Sequence, residues 1–79
     1  MKKEFTLTVY TENQVGLINK IAIMFSRRKI SLESFNTSPS EVPNIYRFTI
    51  VVIESEAVVK NLVKQIEKIV DVFKVYCNT

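Results

Sequence analysis

Glu12-Asn13-Gln14-Val15-Gly16-Leu17 is the stretch on which the fold turns, because the hydrophobic period changes across it. Before it, Lys3 to Tyr10 alternates. Phe5, Leu7 and Val9 lie on one face and Thr6, Thr8 and Tyr10 on the other, the pattern of a half-buried strand. After it, Leu17 to Arg28 repeats apolar residues at three- and four-residue spacing through Ile18, Ile21, Met24 or Ala22, and Phe25, which predicts an amphipathic helix. Gly16 is the only glycine in 79 residues, so backbone freedom is rare here and its position carries information. A strand that passes into a helix through a short loop exposes a helix N-terminus. Unpaired N–H groups and the helix dipole make that end a natural seat for a small anion such as a carboxylate.

Working outward, Arg27, Arg28 and Lys29 close the helix, where cations offset its dipole. Ile30 to Ser38 predicts a second strand with Ile30, Leu32 and the surroundings of Phe35 inward. Its broken alternation predicts a bulge or an edge position. Ser38 to Asn44 is a loop by composition, and Ile45 to Ile53 a strongly β-branched third strand. Glu54 to Lys68 predicts a second amphipathic helix with a stripe of Val59, Leu62, Val63, Ile66 and Ile69 and with Ser55 as N-cap. Val70 to Cys77 is the last strand. The order βαββαβ, with right-handed crossovers around a hairpin, gives an α+β, ferredoxin-like plait: a four-stranded antiparallel sheet with both helices on one face.

Composition then removes several classes of function. With no histidine, the usual general base, triad partner and commonest metal ligand are absent. Cys77 is the only cysteine, so no intramolecular disulfide or paired-cysteine metal site forms, and Cys77 reads as a small buried or edge residue. No Arg or Lys lies between Glu4 and Asn19 to hold a phosphate in the first loop. The carboxylates are scattered over element ends, which gives no acid–base pair. No catalytic residue and no metal site is expected. A net charge of +3 permits nucleic acid without arguing for it, and Tyr10 alone on the presumed open sheet face is a poor stacking platform. The expectation is no nucleic acid and no membrane: no apolar run approaches the roughly 20 residues of a span, and although Met1-Lys2-Lys3 resembles the start of a signal peptide, Glu4, Thr6 and Thr8 interrupt any apolar core and no small-residue cleavage site follows. A cytoplasmic protein is the default. A single domain over residues 1–79 buries only about 60% of its unfolded surface, so self-association is expected.

What remains is the first loop. Asn13 offers a donor and an acceptor, Gly16 leaves room for a ligand, and free N–H groups are expected at Gly16, Leu17 and Ile18. Val15 and Leu17 add apolar contact. The same residues read equally well as a helix cap and a turn.

The pattern taken whole is more specific. Glu12-Asn13-x-x-Gly16-x-Ile18, Phe25-Ser26-Arg27-Arg28, Ile30-x-x-Glu33-Ser34-Phe35, Ser38-Pro39-Ser40, Arg47 to Val52 and Val70-Asp71-Val72-Phe73-Lys74-Val75 occur in collinear order over nearly the whole chain. Together they resemble the ACT domain of the acetolactate synthase small (regulatory) subunit family. The resemblance implies a non-catalytic regulatory subunit. Such a subunit binds and activates a large subunit that holds thiamine diphosphate, magnesium and FAD, and it mediates feedback inhibition by valine or another branched-chain amino acid. It needs no cofactor of its own. It further implies a homodimer joined through the second strand (Ser31 to Ser38) and first helix. The effector then lies at the interface, with Asn13, Gln14, Val15, Gly16, Leu17 and Ile18 of one copy facing Ser31 and Leu32 of the other. Three positions depart from the family pattern. Ser31 stands where asparagine is common, Lys29 where glycine is usual, and Val15 where proline or a small residue is frequent. Many relatives also carry a second, C-terminal domain.

Overall fold

The computed structural model describes residues 1–79. Its elements follow the expected order: β1 (Lys3–Thr11), α1 (Gln14–Arg28), β2 (Leu32–Pro39), β3 (Tyr46–Glu54), α2 (Glu56–Glu67) and β4 (Val72–Asn78). The strands form one antiparallel sheet in the order β2-β3-β1-β4, so β2 and β4 are its edges. This is the ferredoxin-like plait.

Strand parity sets the two faces. Phe5, Leu7 and Val9 on β1 and Phe48, Ile50 and Val52 on β3 are buried, with Leu17, Ile21 and Phe25 of α1 and Val59, Leu62 and Ile66 of α2 packed on them. The first- and third-strand parities and the α2 stripe read from the sequence are therefore the observed ones. Ile18, Met24 and Val63 are only partly buried at the margins of the two helical stripes, and Ile69, expected in the α2 stripe, lies past the end of the helix in the following turn, also partly buried.

Several boundaries differ from expectation, among them the start of α2, at Glu56 rather than Glu54. Helix α1 begins at Gln14 rather than Leu17, which places Gly16 inside its first turn. Strand β2 begins at Leu32, and its register with β3 shifts between Leu32 and Ser34. The shift keeps Leu32, opposite buried Val52, on the same inward face as Phe35, opposite buried Ile50, although at the sheet edge Leu32 stays 41% exposed. Ile30 is buried but precedes the strand, and Phe35 supplies the inward contact, its ring 5.5 Å from that of Phe48. The expected bulge and edge position are both present. Strand β4 starts at Val72, leaving Val70 in a turn and almost fully exposed. Ser55 caps α2 as expected, its hydroxyl accepting from the Val58 N–H at 3.4 Å.

Lys29 takes the left-handed conformation, φ 55° and ψ 40°, and its N–H closes the last turn of α1 on Phe25 and Ser26. An L side chain pays roughly 1 kcal/mol for that geometry and glycine does not. Lys29→Gly is accordingly expected to raise the melting temperature by roughly 4–8 °C. A fall measured by circular dichroism would show that the lysine contributes more than its backbone costs.

Candidate functional site

The first loop is fastened to the turn between α2 and β4. Thr11, at an inward position of β1, is the only fully buried polar residue. Its hydroxyl donates to the Asp71 carbonyl at 2.9 Å and accepts from the Asn13 N–H at 3.2 Å. The Glu12 N–H donates to the same Asp71 carbonyl at 3.2 Å. Asn13 Nδ2 reaches Asp71 Oδ2 at 3.2 Å. Three groups of the loop, the Thr11 hydroxyl, the Glu12 N–H and Asn13 Nδ2, are thus tied to one residue far along the chain.

Asn13 is the N-cap of α1. Its Oδ1 accepts from the Gly16 N–H at 2.9 Å, and its carbonyl accepts from Leu17 at 3.0 Å. Gly16 is required by this close approach and not by an unusual backbone angle. A Cβ there would lie 2.6 Å from Asn13 Nδ2 and 2.8 Å from Asn13 Cγ. The expectation of free N–H groups at Gly16, Leu17 and Ile18 is corrected by this arrangement. The cap and the helix take them, and the N–H groups left without an acceptor are those of Gln14 and Val15, the two residues just before Gly16.

Around these groups, Asn13 and Val15 are exposed, Gln14, Gly16 and Ile18 half-buried, and Leu17 buried in the core. Leu17 is therefore a support of the loop and presents no side chain to a ligand. Gln14 Nε2 donates to Thr37 Oγ1 at 3.1 Å and so ties the start of α1 to the far end of β2.

Ser31 and Leu32 are not brought to this place within one chain. Cross-strand register puts Thr11 opposite Tyr46 and Tyr46 opposite Pro39, whereas Leu32 lies opposite Val52 at the other end of the sheet. Seven residues of strand separate Leu32 from Pro39, on the order of 23 Å. Both segments are exposed, and the β2 edge that runs between them carries no pairing partner.

Thr11 and Asp71 are the participants missed by sequence reasoning. Thr11 carried a signal, since it shares parity with Phe5, Leu7 and Val9, and a polar residue at an inward position needs a buried partner. Asp71 carried none beyond its place in the Val-Asp-Val ending, because its partners lie in another segment.

The remaining chemistry is sparse. No group of three His, Cys, Asp or Glu side chains is placed to hold a metal ion. Cys77 is exposed on the β4 edge. Partial burial beside α2, and secondarily the Glu56 carboxylate, push its thiol above the usual range, which disfavours the nucleophilic thiolate. No helix is long and apolar enough to cross a membrane.

The model of the AHAS small subunit-like ACT domain matches residues 7–74. The chain is 40% identical over 76 residues to the acetolactate synthase small subunit of Bacillus subtilis, covering 95% of this chain and 43% of that protein. It is 35% identical over 69 residues to the small subunit of Haemophilus influenzae, covering 87% of this chain and 42% of that protein. The crystal structure of the Thermotoga maritima small subunit superposes with a TM-score of 0.82 at 29% identity, over 95% of this chain and 47% of that one. The C-terminal domain of Mycobacterium tuberculosis MgtC superposes with a TM-score of 0.81 at 16% identity, which shares the fold alone. The chain spans about two fifths of the length of the curated relatives it matches.

Proposed function

The chain belongs to the AHAS small subunit-like ACT domain family, and from that premise we propose that it is the amino-acid-sensing ACT domain, residues 1–79, of an acetolactate synthase small subunit. In this reading it performs no chemistry. It binds and activates the cytoplasmic large subunit, which carries the thiamine diphosphate, magnesium and FAD, and it transmits feedback inhibition by valine or another branched-chain amino acid.

The observation that carries the reading is the layout of the β2 edge. The first loop stands at one end of that edge and Ser31 and Leu32 at the other. Antiparallel pairing of two β2 strands about a two-fold axis near their middle sets Leu32 of a second copy beside Pro39 of the first. There the Gln14–Thr37 bond ties α1 to the edge. The homodimer thereby completes a site that one chain holds only in halves: Asn13, Gln14, Val15, Gly16 and Ile18 from one copy, with Ser31 and Leu32 from the other. Leu32, partly exposed on the sheet edge, and exposed Val15 supply the apolar contact for a branched side chain.

The zwitterion fits the electrostatics of the loop. The free N–H groups of Gln14 and Val15 at the positive end of α1 suit the ligand's carboxylate. The Asp71 carboxylate, held by Asn13, suits its ammonium. Inhibition follows if the amino acid binds the dimer state that supports catalysis less well than the one that does not.

Titration with valine, leucine and isoleucine, followed by amide shifts, tests the effector claim. At least one of the three is expected to shift Gln14, Val15 and Gly16 together with Ser31 and Leu32. Shifts confined to one end of β2, or none, would remove the shared site. Sedimentation in the presence of the same amino acids is expected to show a dimer.

A further inference from the structure

The helix-free face of the sheet carries a feature outside the effector site. Tyr10 on β1 pairs directly with Arg47 on β3 and with Lys74 on β4, and Ser38 on β2 pairs with Arg47. The four side chains form one row across the whole sheet, with the two cations separated by a tyrosine and by about 10 Å of sheet. One row on, the Tyr76 ring stands perpendicular to that of Tyr10, with centroids 6.1 Å apart, and Lys74 Nζ lies 5.5 Å over the Tyr76 ring.

At the top of the row the loop between β2 and β3 forms a wall. Its shape is fixed by its own hydrogen bonds: Ser40 Oγ to both the N–H and the carbonyl of Val42, the Ser40 N–H to the Ile45 carbonyl, and the Ile45 N–H to the Val42 carbonyl. Between wall and row is a hollow of about 550 Å³ with Val42, Ile45 and Phe73 as its apolar sides. Phe73 and Val42 are each 59% exposed and Tyr76 is 49% exposed. Large apolar side chains clustered in this way on an open face mark an interaction surface. Tyrosine, phenylalanine and arginine are the residues that such surfaces enrich.

Charge decides the kind of partner. The chain's two ion pairs, Lys2–Glu54 and Lys60–Glu56, involve neither Arg47 nor Lys74. Arg47 bonds only the Ser38 hydroxyl, at 3.5 Å, and Glu41 is the single acid lining the hollow. The surface is therefore short of negative charge. Base stacking suits it poorly, because Lys74 covers one face of Tyr76 and Tyr10 stands perpendicular to that ring.

We infer that this face docks an acidic segment of a partner protein. Its carboxylates pair with Arg47 and Lys74, and one aliphatic or aromatic side chain seats against Tyr10 and Phe73. Resting on the function proposed above, the partner is the acetolactate synthase large subunit.

The test uses the full chain and the purified large subunit of the same organism, with affinity measured by calorimetry at two salt concentrations. Arg47 and Lys74 are exposed, so the double variant R47E/K74E keeps the fold. It is expected to bind roughly thirtyfold more weakly or worse, with less dependence on salt. Its melting temperature and the amino-acid-induced shifts at Gly16 are expected to be unchanged. Phe73→Ser is expected to weaken binding without changing the salt dependence. Wild-type affinity in both variants would overturn this surface and leave the subunit reading standing. Failure of the unmodified chain to bind the large subunit would overturn the subunit reading and, with it, the identity of the partner. Tight binding of a short single-stranded RNA that both variants abolish would overturn the assignment in favour of nucleic acid.

Discussion

Phe48→Ala is expected to lower the melting temperature by on the order of 20 °C and to leave a measurable unfolded fraction at growth temperature. Phe48 is completely buried near the start of β3, on the core face of the sheet and edge-on to Phe35. Truncating a buried phenylalanine costs about 3–5 kcal/mol, part lost transfer energy and part cavity. A domain of 79 residues has roughly 4–12 kcal/mol of stability in total. The site cannot collapse easily, because Leu7, Val9, Leu62 and Ile66 belong to the same fully buried core and are held by strands and helices on both sides. Phe48→Leu keeps most of the volume and is expected to cost less than half as much. Denaturant unfolding of the two variants checks the argument. Equal midpoints would mean that the core repacks around the smaller side chain.

Phe48 also shows why much of the fold was legible. Its inward direction follows from alternation with Ile50 and Val52, and a period of two survives whatever the strand pairs with. The same holds for Phe5, Leu7 and Val9, and for the α2 stripe at Val59, Leu62 and Ile66. The misread parts depend on contacts between distant segments. Leu32 lies on the inward side as read but remains partly exposed because β2 is the edge of the sheet, a placement that local alternation does not encode. Tyr76 joins Tyr10 on the open face by pairing with Thr8, and Phe73 joins them at the register shift after Tyr10, so β1 and β3 alone understate the aromatic content of that face. The three-residue error at the start of α1 has a different cause. Glycine in a sequence suggests the end of a loop, whereas here it occupies the first helical turn, with the Asn13 side chain folded over it. In the site, the roles of Asn13 and Gly16 as cap and accommodating residue were legible as one of two readings, but their anchorage on Asp71 lies 58 residues away.

That anchorage makes Gly16→Ala the sharpest functional variant. Its added methyl would meet Asn13 Nδ2 at 2.6 Å, a distance that real side chains do not tolerate, so the Asn13 side chain must leave. Two bonds go with it, Oδ1 to the Gly16 N–H and Nδ2 to Asp71. Loss of the cap costs about 0.5–2 kcal/mol. Alanine in place of glycine within a helix returns roughly 0.5–1 kcal/mol. The two nearly cancel, and the melting temperature is expected to move by only a few degrees. The effect on the proposed effector site is not cancelled, because nothing replaces the positioned amide or keeps Asp71 turned toward the loop. A charge-assisted hydrogen bond is worth about 1.5–3 kcal/mol, so effector affinity is expected to fall by roughly 10- to 150-fold. Asn13→Ala separates the two contributions. It loses the same bonds without the compensating propensity, and is expected to match Gly16→Ala in affinity while being less stable by about 1 kcal/mol. Calorimetric titration with the amino acid that shifts the Gly16 amide, read beside thermal unfolding of both variants, decides the matter. Full affinity in both variants would leave Asn13 and Gly16 as a helix cap and nothing more.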